Sequence, residues 1–209
     1  MSKVAIISGS HRPSSQSGRV ARYLKSRLEQ TSPGVSTYLL DLGLHPLPFW
    51  DEEKWQDTAK WKNAWGEISS EISSTDSFIV VSPEWAGMVP PQLKNFFILC
   101  DGGELAHKPG LIVAVSSGRG GSYPVAELRM SSYKNNHLLW IPDHVIIREV
   151  EGMLLEASAG SDKAGSAKEN DYLVKRIDYS LNLLQAYGTA LKPLRGLPVA
   201  KQKEFPFGM

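Results

Sequence analysis

The residues best placed to do chemistry lie near the start of the chain, in the loop Ser8-Gly9-Ser10-His11-Arg12-Pro13-Ser14-Ser15-Gln16-Ser17. A short β-branched run, Val4-Ala5-Ile6-Ile7, precedes it. In the segment that follows, Val20, Leu24 and Leu28 recur every fourth residue, the signature of a helix with one buried stripe. A helix beginning there points its unpaired N–H groups and the positive end of its dipole back at the loop. Serine hydroxyls and the Arg12 guanidinium converge on the same place, and the chemistry of that set is the holding of an anion, phosphate above all. The loop has neither G-x-G-x-x-G nor G-x-x-x-x-G-K-[ST], which argues against a dinucleotide turn and against a nucleotidase P-loop. A serine-rich turn that only caps the helix is the plainer reading of the same residues.

Two further loops share this character. Ser82-Pro83-Glu84-Trp85-Ala86-Gly87-Met88-Val89-Pro90 offers an aromatic and a stiff turn to lie beside a flat ring. Ser116-Ser117-Gly118-Arg119-Gly120-Gly121-Ser122-Tyr123 offers glycines that let backbone amides approach a ligand. His11, His45, His107, His137 and His144 show no H-x-x-x-H or H-E-x-x-H spacing, and no cysteine cluster accompanies them, so no metal site is expected. Cys100 stands alone in the apolar run Phe96-Phe97-Ile98-Leu99-Cys100 and reads as a small buried hydrophobe, with no disulfide framework available to it.

The elements that must position these loops follow from periodicity. Strands are expected at residues 4–8, 35–41, 78–81, 111–115 and 145–147, and helices at about 17–30, 57–74, 91–101, 123–136 and 169–191. The second helix carries Trp61, Trp65, Ile68 and Ile72 as its core stripe, and Pro90-Pro91 suits the first turn of the third. Small polar residues at 156–166 predict a mobile loop. Residues 1–191 then form one domain, and 192–209, with prolines at 193, 198 and 206, an irregular extension along the surface or onto a partner subunit. Five alternating strand–helix units fit a flavodoxin-like α/β/α sandwich, a five-stranded parallel sheet in the order 2-1-3-4-5. In that order ligands bind beyond the carboxyl ends of the strands, at the switch between strands 1 and 3, where all three loops would meet. A hydroxyl-rich loop after the first strand of this fold holds the phosphate of FMN.

Composition narrows the class. The 209 residues suit one well-cored α/β domain, and 23 Lys and Arg against 22 Asp and Glu leave no electrostatic footprint for nucleic acid or an anionic membrane. The apolar runs fall far below the ~20 residues that span a bilayer, and the N-terminus lacks a signal-peptide core. A cytoplasmic protein is expected.

The motifs together resemble the NADPH-dependent FMN reductases, a flavodoxin-like family of bacterial flavin, quinone, chromate and azo-dye reductases, from about residue 3 to residue 150. That family opens with G-S-x-R-x-x-S, matched by Gly9-Ser10-His11-Arg12-Pro13-Ser14-Ser15 with Ser17 beyond. Its P-E-Y-N and later P-x-x-L-K-N stand here as Pro83-Glu84-Trp85-Ala86 and Pro90-Pro91-Gln92-Leu93-Lys94-Asn95, and its small-residue loop as Ser116-Ser117-Gly118-Arg119-Gly120-Gly121. Trp85 and Ala86 replace the usual Tyr-Asn pair. The resemblance implies an FMN site built from Ser10, Arg12, Ser15, Gln16, Ser17, Pro83, Glu84, Trp85, Ala86, Gly87, Ser116, Ser117, Gly118, Gly120 and Gly121. Arg119 is placed to meet the 2′-phosphate of NADPH, a solvated arginine being the equal alternative. Glu84 is a candidate proton donor to a bound quinone, against a salt-bridged or cap-forming carboxylate. Trp85 is as well placed to line the site as to pack, whereas Trp50, Trp55, Trp61, Trp65 and Trp140 are expected to pack.

A flavin carries its own redox chemistry, so the protein has only to bind, orient and tune it. The expected activity is hydride transfer from NADPH or NADH to bound FMN and onward delivery to a small-molecule acceptor such as a quinone, flavin or azo dye, by a ping-pong scheme. The other readings are a flavodoxin-type electron carrier, a flavin-binding redox sensor, and a hydrolase; the absence of G-x-S-x-G weakens the last. The run from Met88 to Leu99 is too apolar for one helix stripe, which predicts a homodimer or homotetramer. Phe97 is expected in the contact between subunits, with packing inside its own domain as the alternative.

Overall fold

The computed structural model describes residues 2–155 and 167–201. Five strands, β1 (Ser2–Ser8), β2 (Val35–Asp41), β3 (Ser77–Pro83), β4 (Pro109–Val115) and β5 (Leu139–Ile147), form one parallel sheet in the order β2-β1-β3-β4-β5. Every residue of β3 and β4 is buried, because helices cover both faces of the sheet and leave the strands no solvent side to alternate towards. On one face α1 (Gln16–Thr31) and α5 (Ala167–Leu191) pack through Val20, Leu24, Leu28, Ile177, Leu181 and Leu184. On the other lie α2 (Ala59–Ser73), α3 (Pro91–Leu99) and α4 (Ser122–Met130), with Trp61, Trp65, Phe96, Phe97, Val125 and Leu128 in the core. The sheet order and the three layers agree with the flavodoxin-like expectation.

Several boundaries differ from the periodicity. The fourth helix stops at Met130, not 136: the Ser131 hydroxyl donates to Glu127 O at 2.6 Å, and Ser132 takes a left-handed φ of 62° that ends the helix. The fifth strand is longer than 145–147 and contains Pro142, tolerated because β5 is an edge strand bonded only to β4. Trp55 packs only at the surface: it is 70% exposed, its ring meets Trp50 edge-on with centroids 4.9 Å apart, and its indole N–H donates to Asp101 at 3.1 Å. Phe97 is only 5% exposed and packs in its own domain, edge-on to Phe96 and Trp140 with ring centroids 5.4 and 5.9 Å away. It is therefore a core residue of its own domain, which is the alternative reading of its place in the run. Cys100 is buried, and desolvation pushes its thiol pKa well up, as befits a packing residue.

The described part of the C-terminal extension makes two short 3-10 turns, Pro193–Gly196 and Pro198–Lys201, held to the domain where Arg195 and Lys192 pair with Asp76 at 2.7 and 3.0 Å. The mobile loop expected at 156–166 and the end of the extension lie outside the described residues. Among the described residues no helix is long and apolar enough to cross a membrane.

Candidate functional site

The chain leaves β1 at Ser8 and turns sharply across the neighbouring strands. Gly9 N–H donates to Val81 O of β3 at 2.8 Å, and a Cβ on Gly9 would stand 2.6 Å from the Leu93 side chain, so glycine is required for the turn. On the other side Gly43 presses so closely on the loop that its Cβ would lie 2.4 Å from Arg12 O. The loop is thus clamped between the ends of β2 and β3. Within it Ser10 is buried, and its Oγ accepts the Arg12 N–H at 3.3 Å.

Ser15 is the N-cap of α1, its Oγ accepting the Gly18 N–H at 2.9 Å. The capping reading of this serine holds, yet a hydroxyl that accepts from the helix still has its own O–H to donate outwards. The first intrahelical bond is Arg19 N–H to Ser15 O, which leaves the Gln16 and Ser17 amides ahead of the ladder without an intrahelical acceptor. Gln16 turns its side-chain oxygen to Arg19 Nε at 2.7 Å. Arg19 in turn donates to the carbonyls of Leu154, at 2.9 Å, and Val150, pinning the segment after β5 over α1. Burial and the neighbouring Arg22 lower the Arg19 pKa. Arg12 itself is exposed and has no ion pair among the described residues, which leaves its guanidinium without a carboxylate partner there.

The loop after β3 closes on itself in a two-residue turn. Trp85 and Met88 exchange backbone bonds of 3.1 and 2.9 Å, with Ala86 and Gly87 between them at φ 47° and 72°. Trp85 is half-buried and meets His11 of the first loop. The next stretch, Pro90 to Asn95, owes its residue types to anchoring. Lys94 pairs with Glu127 of α4 at 2.5 Å, while buried Asn95 donates to Pro48 O at 2.9 Å and accepts the Trp50 N–H at 2.8 Å. Glu127 also accepts the Val89 N–H at 2.7 Å.

The loop after β4 is tied back to β5 by Ser116 N–H to Ile147 O at 2.9 Å. Nothing stands within 4 Å of where a Cβ on Gly118 would be, so its backbone is open to a flat ligand. Arg119 extends into solvent, 3.6 Å from the less exposed Glu149. Among the described residues Glu84 makes no salt bridge; it accepts the Gly121 N–H, as a cap-forming carboxylate does.

The structure therefore brings the three loops together at the carboxyl ends of β1, β3 and β4. Ser10, Arg12, Ser15, Gln16 and Ser17 form one wall, Pro83 to Gly87 the second, and Ser116 to Gly121 the third. Tyr123, in the first turn of α4, was not among the residues singled out from the sequence. It leans over Gly87, 3.8 Å from where a Cβ would be, and is 68% exposed at the rim. No periodicity or motif marks it; only the short helix start after Gly121 could have placed it.

Residues 2–152 match the family model described as NADPH-dependent FMN reductase. The chain belongs to that family. Among curated protein sequences none matches it. Of the solved structures, FerB, a flavoenzyme NAD(P)H:(acceptor) oxidoreductase from Paracoccus denitrificans, is similar with a TM-score of 0.63 at 17% identity, over 90% of this chain and 99% of that one. An oxidoreductase from Corynebacterium diphtheriae gives 0.62 at 18% identity, over 91% and 98%. The NADH:FMN oxidoreductase EMOB in its apo form gives 0.64 at 15%, over 97% and 95%. At these identities the likeness is one of fold.

The residues fit a flavin mononucleotide. The first-turn amides of α1, the serine hydroxyls and unpaired Arg12 suit a terminal phosphate; the open backbone at Gly118 and the aromatic rim of Trp85 and Tyr123 suit a flat ring.

Proposed function

We propose that the protein is an FMN-dependent oxidoreductase that takes hydride from NADPH or NADH and passes the electrons to a small oxidised acceptor, a quinone, flavin or azo compound. FMN supplies the redox chemistry when bound. The chain's part is to bind and to shield. The α1 N-terminus with Ser10, Arg12, Ser15, Gln16 and Ser17 holds the phosphate. Pro83, Glu84, Trp85, Ala86 and Gly87 back one edge of the ring through their turn, and Ser116, Ser117, Gly118, Gly120 and Gly121 offer backbone on the other. In this reading nicotinamide and acceptor use the same side of the ring and bind in alternation. Arg119, 90% exposed, is free to swing onto a 2′-phosphate.

The observation that carries this reading is the capped N-terminus of α1 facing an unpaired Arg12 at the switch between β1 and β3. Membership of the family supports it, and so do the names of the similar structures, an NAD(P)H:(acceptor) and an NADH:FMN oxidoreductase. The working unit in this reading is a homodimer or homotetramer. Exposed Ile98, with Val89 and Leu128, lines a groove of about 500 Å3 between α3 and α4 that reaches the loop after β3 at Val89, and a second copy of the chain is the occupant proposed for it.

The test is anaerobic stopped-flow: FMN-loaded protein mixed with NADPH or with NADH should bleach at 450 nm, and steady-state rates with a soluble benzoquinone should give parallel double-reciprocal lines. A protein that binds FMN and stays oxidised for minutes with both nucleotides would instead be a carrier or sensor.

A further inference from the structure

Glu84 stands where the loop after β3 touches the loop after β4. Its own N–H donates to Val115 O at 3.0 Å, which fixes its backbone to the end of β4. Its carboxylate reaches across and accepts the N–H of Gly121 in a short bond. Gly121 is the N-cap of α4; it has a left-handed φ of 104°, and no side chain of its own loop caps the helix. Gly120 lies directly over the carboxylate, so close that a Cβ there would stand 2.7 Å from Oε1. Among the described residues no cation pairs with Glu84, so the Gly121 N–H and the nearby helix N-terminus are what hold the charge in place.

We propose that Glu84 is a positioning residue: docked on Gly121 N–H beneath Gly120, its carboxylate fixes the spacing of the two ring-side loops and so sets how tightly the site takes up flavin and nicotinamide. The proposal rests on the flavin-site reading above. It explains why a glycine stands at 120, where φ needs none: a side chain would expel the carboxylate. It also explains how a short α4 starts in register with the end of β3 without a serine or aspartate cap.

Four variants test it, Glu84→Gln, Glu84→Ala, Gly120→Ala and the double variant Glu84→Ala/Gly120→Ala. Glu84→Ala should weaken FMN binding by about tenfold, the scale of one charge-assisted hydrogen bond, and raise KM for NADPH more than it lowers kcat. Glu84→Gln, whose amide oxygen accepts the same N–H without the charge, should recover part of the loss and fall between wild type and Glu84→Ala. Gly120→Ala should reproduce the loss of Glu84→Ala, and in the double variant should add nothing, because the carboxylate it displaces is gone. Hydrogen exchange on the flavin-free protein gives a second readout: the segment 116–123 should exchange faster in Glu84→Ala and Gly120→Ala, and less so in Glu84→Gln. Additive losses, or wild-type exchange in Glu84→Ala, would overturn the proposal. A wild-type protein that fails to bind FMN would overturn the flavin reading instead, leaving the exchange experiment to decide on the tether.

Discussion

The His11 imidazole meets the Trp85 indole edge-on, ring centroids 4.6 Å apart and planes at 79°. This contact is a side-chain bridge from the loop after β1 to the loop after β3, and an edge-to-face pair of this kind contributes about 0.5–1.5 kcal/mol. A double-mutant cycle of His11→Ala and Trp85→Leu, read on FMN affinity by calorimetry, should show a coupling of that size. Additivity would mean the two rings merely lie side by side.

Arg12→Ala should weaken FMN binding by roughly ten- to a hundredfold, because a hydrogen bond to a charged group contributes about 1.5–3 kcal/mol. Riboflavin, lacking the phosphate, should bind both proteins alike. Equal affinities of the wild type for FMN and riboflavin would remove the phosphate cradle from the account.

Ala86 sits at φ 47°, where a residue with a Cβ costs about 1–2 kcal/mol relative to the right-handed region. Asparagine tolerates this conformation and glycine takes it freely, which gives a physical reason for the asparagine that the resembled motif carries here. Ala86→Asn should raise the thermal midpoint by about 1–3 °C without weakening FMN binding. A lower midpoint would mean that the methyl group makes a contact that outweighs the strain.

Much of this was legible in the sequence because it depends on local order. The apolar runs of β1, β3 and β4 and the fourfold stripe of α1 fix the sheet, and the sheet order brings the three loops together. What escaped depends on contacts distant in the chain. Phe97 looked surplus to one helix stripe, yet the wide α3 packs on Trp140 from β5 as well as on the sheet. Glu84 could be read as a proton donor or as a salt-bridged or cap-forming carboxylate, and only its approach to Gly121, 37 residues on, decides for the cap. Trp55 follows a proline-rich loop whose course is set by Asn95, and no local pattern reveals that an indole there stays in solvent.

Lys108 is buried at the start of β4 and donates to the carbonyls of Ile72 and Ser73 at 2.7 and 2.8 Å, capping the C-terminus of α2. Burial, and then the nearby Arg195, lower its pKa from 10.5 to about 8. A neutral amine still has two N–H groups for the two carbonyls. Between about pH 8 and 10.5 the unfolded chain binds the proton that the folded one has released, so this residue's contribution to stability rises with pH across that window. The difference in unfolding free energy between wild type and Lys108→Met, from urea titrations at pH 7.5, 8.5 and 9.5, should grow in favour of the wild type. A flat difference would place the amine in an environment as polar as water.

Ile98 and Phe97 are neighbours on α3 with opposite surroundings, 55% and 5% exposed. Phe97→Asp would put an unpaired charge among Phe96 and Trp140, at a cost of several kcal/mol, and should yield unfolded protein by circular dichroism. Ile98→Asp places its charge in water in the monomer and in a desolvated contact only if a second copy covers the groove between α3 and α4. In the proposed oligomer it should therefore keep the native spectrum and thermal transition at low concentration, while light scattering shows the mass falling to one chain. Flavin affinity should fall with it if Met88, at the edge of the ring-side loop, is ordered by the same contact. A wild type that scatters as one chain at micromolar concentration with FMN bound would end the oligomer proposal before any variant is made. An Ile98→Asp protein that remains an oligomer would move the interface to another face.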